Sequence, residues 1–324
     1  MRVHRLLQFA SIVAGTIVGL AVAQAQVGDQ PVRIIFPYAA GGSGDGTSRL
    51  MAEQLRNGLN RPVIVENRTG AAGRLAVQAV KAAAPDGNTL LLTPIAPMSV
   101  FQSVYKNLGY DPIADFKPIT QIATFDLAVA VGPGAEVKSL KELVSWLKAN
   151  PTLANYGMPA AGSLPHFFGV LFGRAAGVDL RAVTYRGSAA ALTDLVGGQV
   201  PVVFTVTTDL LPMHKAGRIR ILATSGAERS PFLADVPTFK ESGYDIQGAG
   251  WYGMFAPAKT PDDIVERYNK IIVSAIHTPE IKKRLLDFGL EPTGTTSAKF
   301  GVIQKSDAAL WEPAVKASGF SPQQ

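Results

Sequence analysis

Four glycines, Gly41, Gly42, Gly44 and Gly46, break the chain directly after an apolar run from Val32 to Phe36. The run fits a buried strand, and Met51, Leu55 and Leu59 beyond the glycines recur at helical spacing. The stretch Pro37-Tyr-Ala-Ala-Gly-Gly-Ser-Gly-Asp-Gly-Thr-Ser-Arg49 is therefore a strand-to-helix turn, and the rest of the chain is arranged around it. Glycine lets the backbone take positive φ or approach a ligand closely, while Ser43 and Asp45 can cap the helix behind them. Backbone N–H groups at a helix start, together with the positive end of its dipole, suit an anion. No lysine follows the last glycine and the spacing is not GxGxxG, so neither nucleotide-binding loop is present. On this stretch alone, an anion cradle and a plain glycine turn are equally good readings.

With 324 residues, 47% of them hydrophobic and 17% charged, the chain is long enough for two α/β domains with real cores. Arg2 and Arg5 precede an apolar region from Leu6 to Ala23 that ends in Ala23-Gln24-Ala25. That is the pattern of a secretory signal peptide over residues 1–25, cleaved before Gln26; an uncleaved anchor is the alternative, which the Ala-x-Ala ending disfavours. The lack of cysteine removes disulfides, thiolate metal sites, a cysteine nucleophile and a lipid-modified cysteine together. Export then points to the bacterial periplasm. The formal charge is +6, or +4 without Arg2 and Arg5, and no basic run concentrates it. Such a chain suits a small anionic ligand better than nucleic acid.

Past the first turn, strands and helices alternate. Val63 to Val65 reads as a strand, Arg74 to Ala84 as a helix, and Pro85-Asp86-Gly87 as a turn into the strand Thr89 to Thr93. This order implies a parallel sheet with helices on both faces and a ligand beyond the carboxyl ends of its strands. A second block begins with the strand Leu127 to Val131, and Ser139 with Glu142 forms a capping box for the next helix. The strands Ala182 to Tyr185, Val200 to Phe204 and Ile219 to Ala223 follow, with turns at 158–163 and 186–188 that repeat the plan of the first. Trp251 to Pro257 is a last strand, and helices from Thr260-Pro261, from Pro279 to Phe288 and from Ser297 to Trp311 follow it. A single strand followed by helices makes no third domain, so this end is expected to return to the first lobe.

The ordered motifs resemble one family. They run from Phe36-Pro-Tyr-Ala-Ala-Gly-Gly and Val65-Glu-Asn-Arg-Thr-Gly through Tyr156-Gly, Gly162-Ser-Leu-Pro-His166 and Tyr185-Arg-Gly to Asp194-Leu-Val-Gly-Gly-Gln-Val and Trp251 to Phe255-Ala-Pro. Together they are similar to the Bug or TctC-type extracytoplasmic solute receptors of the tripartite tricarboxylate transporters, over essentially the whole mature chain. The resemblance implies an α/β, two-lobed periplasmic binding protein of type II-like, flytrap form, with a ligand cleft between lobes joined by two crossing strands. Lobe I would comprise 26–125 and 251–324, and lobe II 126–250, with the crossings near Ile122 to Val131 and Trp251 to Phe255.

The resemblance also implies a small carboxylate ligand, di- or tricarboxylate or aromatic. Neutral donors would hold it, often through water, and it would be passed to the membrane subunits of such a transporter. Carried over residue by residue, the ligand-binding residues are Tyr38, Ala39, Ala40, Gly41, Gly42 and Ser43 in the first lobe and Ser163, Arg186, Gly187 and Ser188 in the second. Thr93, His166, Thr205 and Trp251 complete the set. No cofactor, metal or catalytic residue is expected, no nucleic acid, and the protein is expected to be a monomer. Many relatives that take amino acids carry an acidic residue after the phenylalanine that corresponds to Phe204; Thr205 stands there, which favours a ligand without an ammonium group. Arg74 also departs from the usual pattern, at the cleft mouth or in solvent.

Asp45 fits a helix cap better than a ligand contact, since a carboxylate repels an anion. Ser163 and His166 have the types of a nucleophile and base but no GxSxG context, and His166, His214 and His277 lack metal or triad spacing. An exported hydrolase is thus disfavoured, and a periplasmic sensor for a membrane signalling protein remains open. Trp251 fits hinge packing as well as a ligand platform.

Overall fold

The computed structural model describes residues 30–320, so the expected signal peptide lies outside the described residues. In the first sheet, β1 (Val32–Phe36) runs parallel between β2 (Val63–Asn67) and β3 (Thr89–Pro94). β3 is buried at every position but its last and reads as a nearly continuous apolar run, as a parallel strand covered on both faces does. Helix α1 (Ser43–Leu59) turns Leu50, Met51 and Leu55 onto the sheet and stops at Asn60 in the left-handed conformation. Helix α2 (Arg74–Lys81) follows β2, and the short α3 (Phe101–Val104) follows β3.

The two halves share β4 (Phe116–Val131). Its first part pairs antiparallel with β9 (Ala249–Pro257), from Phe116 opposite Pro257 to Asp126 opposite Ala249. Its last part pairs with β7 (Val202–Val206) and β8 (Arg220–Thr224). The order in one sheet is therefore β2-β1-β3-β9-β4, with the two-residue β10 (Glu291–Pro292) on β4. In the other, β4 and β7 continue to β5 (Asn155–Met158) and β6 (Arg181–Thr184). Helices α4 (Leu140–Ala149), α5 (Leu164–Ala176), α6 (Ser188–Val196) and α7 (Thr207–Lys215) belong to this second half. Helices α8 (Asp262–Ile276), α9 (Pro279–Asp287) and α10 (Ser297–Ser318) close the chain. This is a mixed α/β fold with a curled sheet, of the two-lobed binding-protein type. Ser139 caps α4 by accepting the Glu142 N–H at 3.2 Å, while the Glu142 carboxylate reaches one residue further back, to the Lys138 N–H.

Two elements extend beyond their expected ends. β4 begins at Phe116, not Leu127, because Pro118 sits at a register shift where a strand tolerates proline. α10 continues past Trp311 to Ser318 although Pro313, ordinarily a helix breaker, lies inside it.

Candidate functional site

After β1 the chain turns through Gly41 at φ +100°, a conformation that favours glycine, and α1 starts behind Gly42. Asp45 accepts the Gly41 N–H at 3.2 Å, Arg49 Nε at 3.1 Å and Asn67 Nδ2 at 3.0 Å. Burial alone would raise its carboxyl, but these hydrogen bonds and the Arg49 charge outweigh burial and hold it below the usual range. Asp45 is thus a clasp of the turn. Gly44 has no room for a side chain: a Cβ there would lie 2.4 Å from Phe36 Cζ and 2.9 Å from Tyr252 Cε1.

The opposite wall comes from the strand-to-helix turns of the second half. Gly187, at φ +123°, lets its own turn approach Ala39, and the Ala39 N–H donates to the Arg186 carbonyl at 3.2 Å. Ser188 Oγ and Thr205 Oγ1 are 2.8 Å apart. At the start of α7, Asp209 Oδ1 accepts the Ser43 N–H at 2.7 Å, and Thr208 Oγ1 donates to Ser43 Oγ at 2.8 Å. Ser43 Oγ also lies 3.0 Å from the Tyr252 hydroxyl, contributed by β9. The two halves therefore meet directly at Gly41 to Ser43.

Between them lies a cavity with about 60 Å³ of space for water, enough for a few molecules. Phe36, Tyr38, Phe125, Leu127 and Tyr252 make its walls apolar, and Ser163, Ser188 and Asp209 bring polar side chains to it. Burial pushes the Asp209 carboxyl up, against hydrogen bonds from Ser188 and Ser43 that favour its charge. Burial, and then Asp209 itself, raise the Tyr252 phenol. Two grooves flank the cavity. One, of about 770 Å³, shares Tyr38 and Pro159 with it and includes Gly70 to Arg74, Tyr105 and Arg186. The other, of about 760 Å³, shares Gly42 and Asp209 and includes Gly41, Ser43, Thr208 and Lys215. Among the described residues no group of histidine, aspartate and glutamate has the arrangement of a metal site.

Of the residues expected at the ligand, Tyr38, Ala39, Gly42, Ser163, Gly187 and Ser188 line the cavity. Gly41 and Ser43 line the second groove, and Arg186 lines the first. Ala40 is exposed. Thr205 is fully buried behind Ser188. Thr93 is buried in β3 opposite Gly253, its hydroxyl on the Pro94 carbonyl. His166 and Trp251 face packing. His166 Nδ1 accepts the Gly162 N–H at 3.1 Å, and its ring stacks on Phe167 and meets Phe320 edge-on. Trp251 Nε1 donates to Asp307 Oδ2 at 2.7 Å, with its ring against Phe300. Ser163 donates to the Ala160 carbonyl at 2.7 Å, so Ser163 and His166 are committed separately and form no nucleophile and base pair.

Phe36, Phe125, Tyr252 and Asp209 were not expected at the cavity. The aromatic residues lie on strands β1, β4 and β9, where an apolar run does not separate a cavity wall from core. Asp209 carried a usable signal: an acid in the first turn of a helix after a strand, at one more strand-to-helix turn of the same half.

Residues 47–320 match the family described as the tripartite tricarboxylate transporter family receptor. A UPF0065 protein of Bordetella bronchiseptica is 34% identical over 97% of this chain and 93% of its own length. The periplasmic binding protein BugD superposes with a TM-score of 0.86 at 30% identity, over 90% of this chain and 99% of BugD. The structure of R. palustris Rpa4515 with adipate superposes with a TM-score of 0.87 at 31% identity, over 90% and 98% of the two chains. Receptors of this kind bind solutes and are not enzymes. The chain belongs to the tripartite tricarboxylate transporter family receptors, as a periplasmic solute-binding protein of the TctC or Bug type.

Proposed function

We propose that the protein captures a small carboxylate between its lobes and delivers it to the membrane subunits of a tripartite tricarboxylate-type transporter. The observation that carries this reading is the cavity itself: apolar walls from Phe36, Tyr38, Phe125 and Tyr252, with the Ser163 and Ser188 turns of the second half facing the glycine-rich turn of the first. A carbon skeleton fits the walls, and backbone and hydroxyl donors at helix starts fit a carboxylate. That R. palustris Rpa4515 was solved with adipate supports the same chemistry. In this reading lobe I is 26–125 with 251–324, lobe II is 126–250, and the monomer works in the periplasm after removal of 1–25. Binding draws the lobes together about β4 and β9, because a solute favours closure only by touching both sides.

A thermal-shift and calorimetry screen over mono-, di- and tricarboxylates and aromatic acids tests the reading. A bound acid at a hundred times its dissociation constant adds about 2.7 kcal/mol of stability. No stabilisation by any acid in the screen would refute it.

A further inference from the structure

Donors expected to hold a carboxylate already hold one in this structure. The Ser43 N–H, in the first turn of α1, donates to Asp209 Oδ1 at 2.7 Å. The hydroxyls of Ser188 and Ser43 also favour the ionised form of the same side chain. Asp209 is the third residue of α7, where a carboxylate can reach back to the N-cap N–H, yet no side chain caps α7. Its oxygen is committed across the cleft instead. The other carboxylate of the region, Asp45, is held by Gly41, Arg49 and Asn67. Among the described residues, by contrast, no Lys, Arg or His forms an ion pair with Asp209.

We propose that Asp209 is an internal competitor of the solute: its carboxylate takes the seat on the first turn of α1, so a solute carboxylate binds there by displacing it. The proposal rests on the carboxylate reading above and adds a residue that sets affinity and selectivity. Two carboxylates sharing one set of donors cannot both stay charged at contact distance. Asp209 has a place to go, because it borders both the cavity and the groove that contains Lys215. Its side chain can leave the Ser43 N–H toward that groove while the solute enters the cavity. The same contact joins α1 to α7 across the cleft, so Asp209 biases the empty protein toward the closed form, and the solute that displaces it draws the lobes together further by touching both sides. Thr208 Oγ1 on Ser43 Oγ and the Ala39 N–H on the Arg186 carbonyl strengthen this closure without charge.

The test uses Asp209→Ala, which removes the occupant, and Asp209→Asn, which keeps its shape and an acceptor but not its charge. Circular dichroism checks that both fold. The expected result is that adipate binds Asp209→Ala at least tenfold more tightly than the parent, with Asp209→Asn between them. Without added carboxylate, Asp209→Ala should show a larger radius of gyration by small-angle scattering. Adipate affinity unchanged or lowered in both variants overturns the proposal. So does a parent that prefers 6-aminohexanoate to adipate and loses that preference in Asp209→Asn, which would make Asp209 a counter-charge for an ammonium group. If no carboxylate binds the parent or either variant, the carboxylate reading fails by itself. The scattering comparison then decides the rest: a larger radius for Asp209→Ala supports the interlobe contact, and equal radii overturn it.

Discussion

Gly44 lies inside a helix, where alanine is ordinarily better by about 0.5–1 kcal/mol. Here the preference reverses, because the added carbon would meet Phe36 at 2.4 Å and Tyr252 at 2.9 Å, both cavity walls. Gly44→Ala should therefore cost about 1–3 kcal/mol by overpacking. Gly42→Ala should stay within about 0.5 kcal/mol, since Gly42 has φ −90° and its nearest neighbour, Asp209 Oδ2, would lie 3.6 Å away. Urea unfolding of the two variants checks this, and equal midpoints would refute the crowding argument. The glycine run marked the turn in the sequence but not which glycine is conformational and which is steric. That division depends on Tyr252, which arrives from β9 far along the chain. The sequence marked Asp209 only as an acid in the first turn of a helix, and its hold on the Ser43 N–H follows only once α7 is brought against α1.

The strands β4 and β9 join the halves, pairing antiparallel from Phe116 to Asp126 with register shifts after Pro118 and after Gln121. The period of the apolar residues was sufficient to read most strands and helices, because burial alternates with the secondary structure itself; the two crossings came only from the family resemblance. It failed at the first part of β4, where Lys117, Pro118 and Gln121 obscure the pattern, and tertiary pairing with β9 decides. Trp251 fixes β9 to α10 through Asp307, whose carboxyl burial raises while the indole N–H favours its charge. Trp251→Phe keeps an aromatic ring against Phe300 and removes the donor. It should destabilise the protein by roughly 1–3 kcal/mol, the cost of leaving a partly buried carboxylate short of a hydrogen bond. Thermal melting measures this, and an unchanged melting temperature would show that the bond contributes nothing net. Calorimetry with a bound acid should show little change in affinity, since Trp251 lies outside the cavity wall.

The last helix packs against both halves of the molecule. α10 packs on β4 and also reaches α5 of the second half, where Phe168 meets Trp311 and Arg174 donates to the Ala317 and Ser318 carbonyls. A cation on the last carbonyls of a helix is favourable, so Arg174 ties α10 to the second half at its C-terminal end. The next residues bring Phe320 onto His166, with ring centroids 4.3 Å apart. Burial lowers the His166 pKa from 6.5 to about 4. The unfolded chain therefore binds the imidazole proton more readily than the folded one, and stability rises with pH between those values. Read downward, the contribution is complete above pH 6.5, falls by at most about 1.4 kcal/mol per pH unit, and is exhausted near pH 4. Half-buried acids with raised pKa values, Asp126, Asp209 and Asp307, give the opposite slope, but they are common to the parent and a His166 variant. The difference between the parent and His166→Gln should thus isolate the imidazole. Urea unfolding from pH 7 to pH 4 should show the parent losing stability faster than His166→Gln as the pH falls. Parallel curves would mean that His166 is protonated in the fold without cost, and that its contact with Phe320 opens freely in acid.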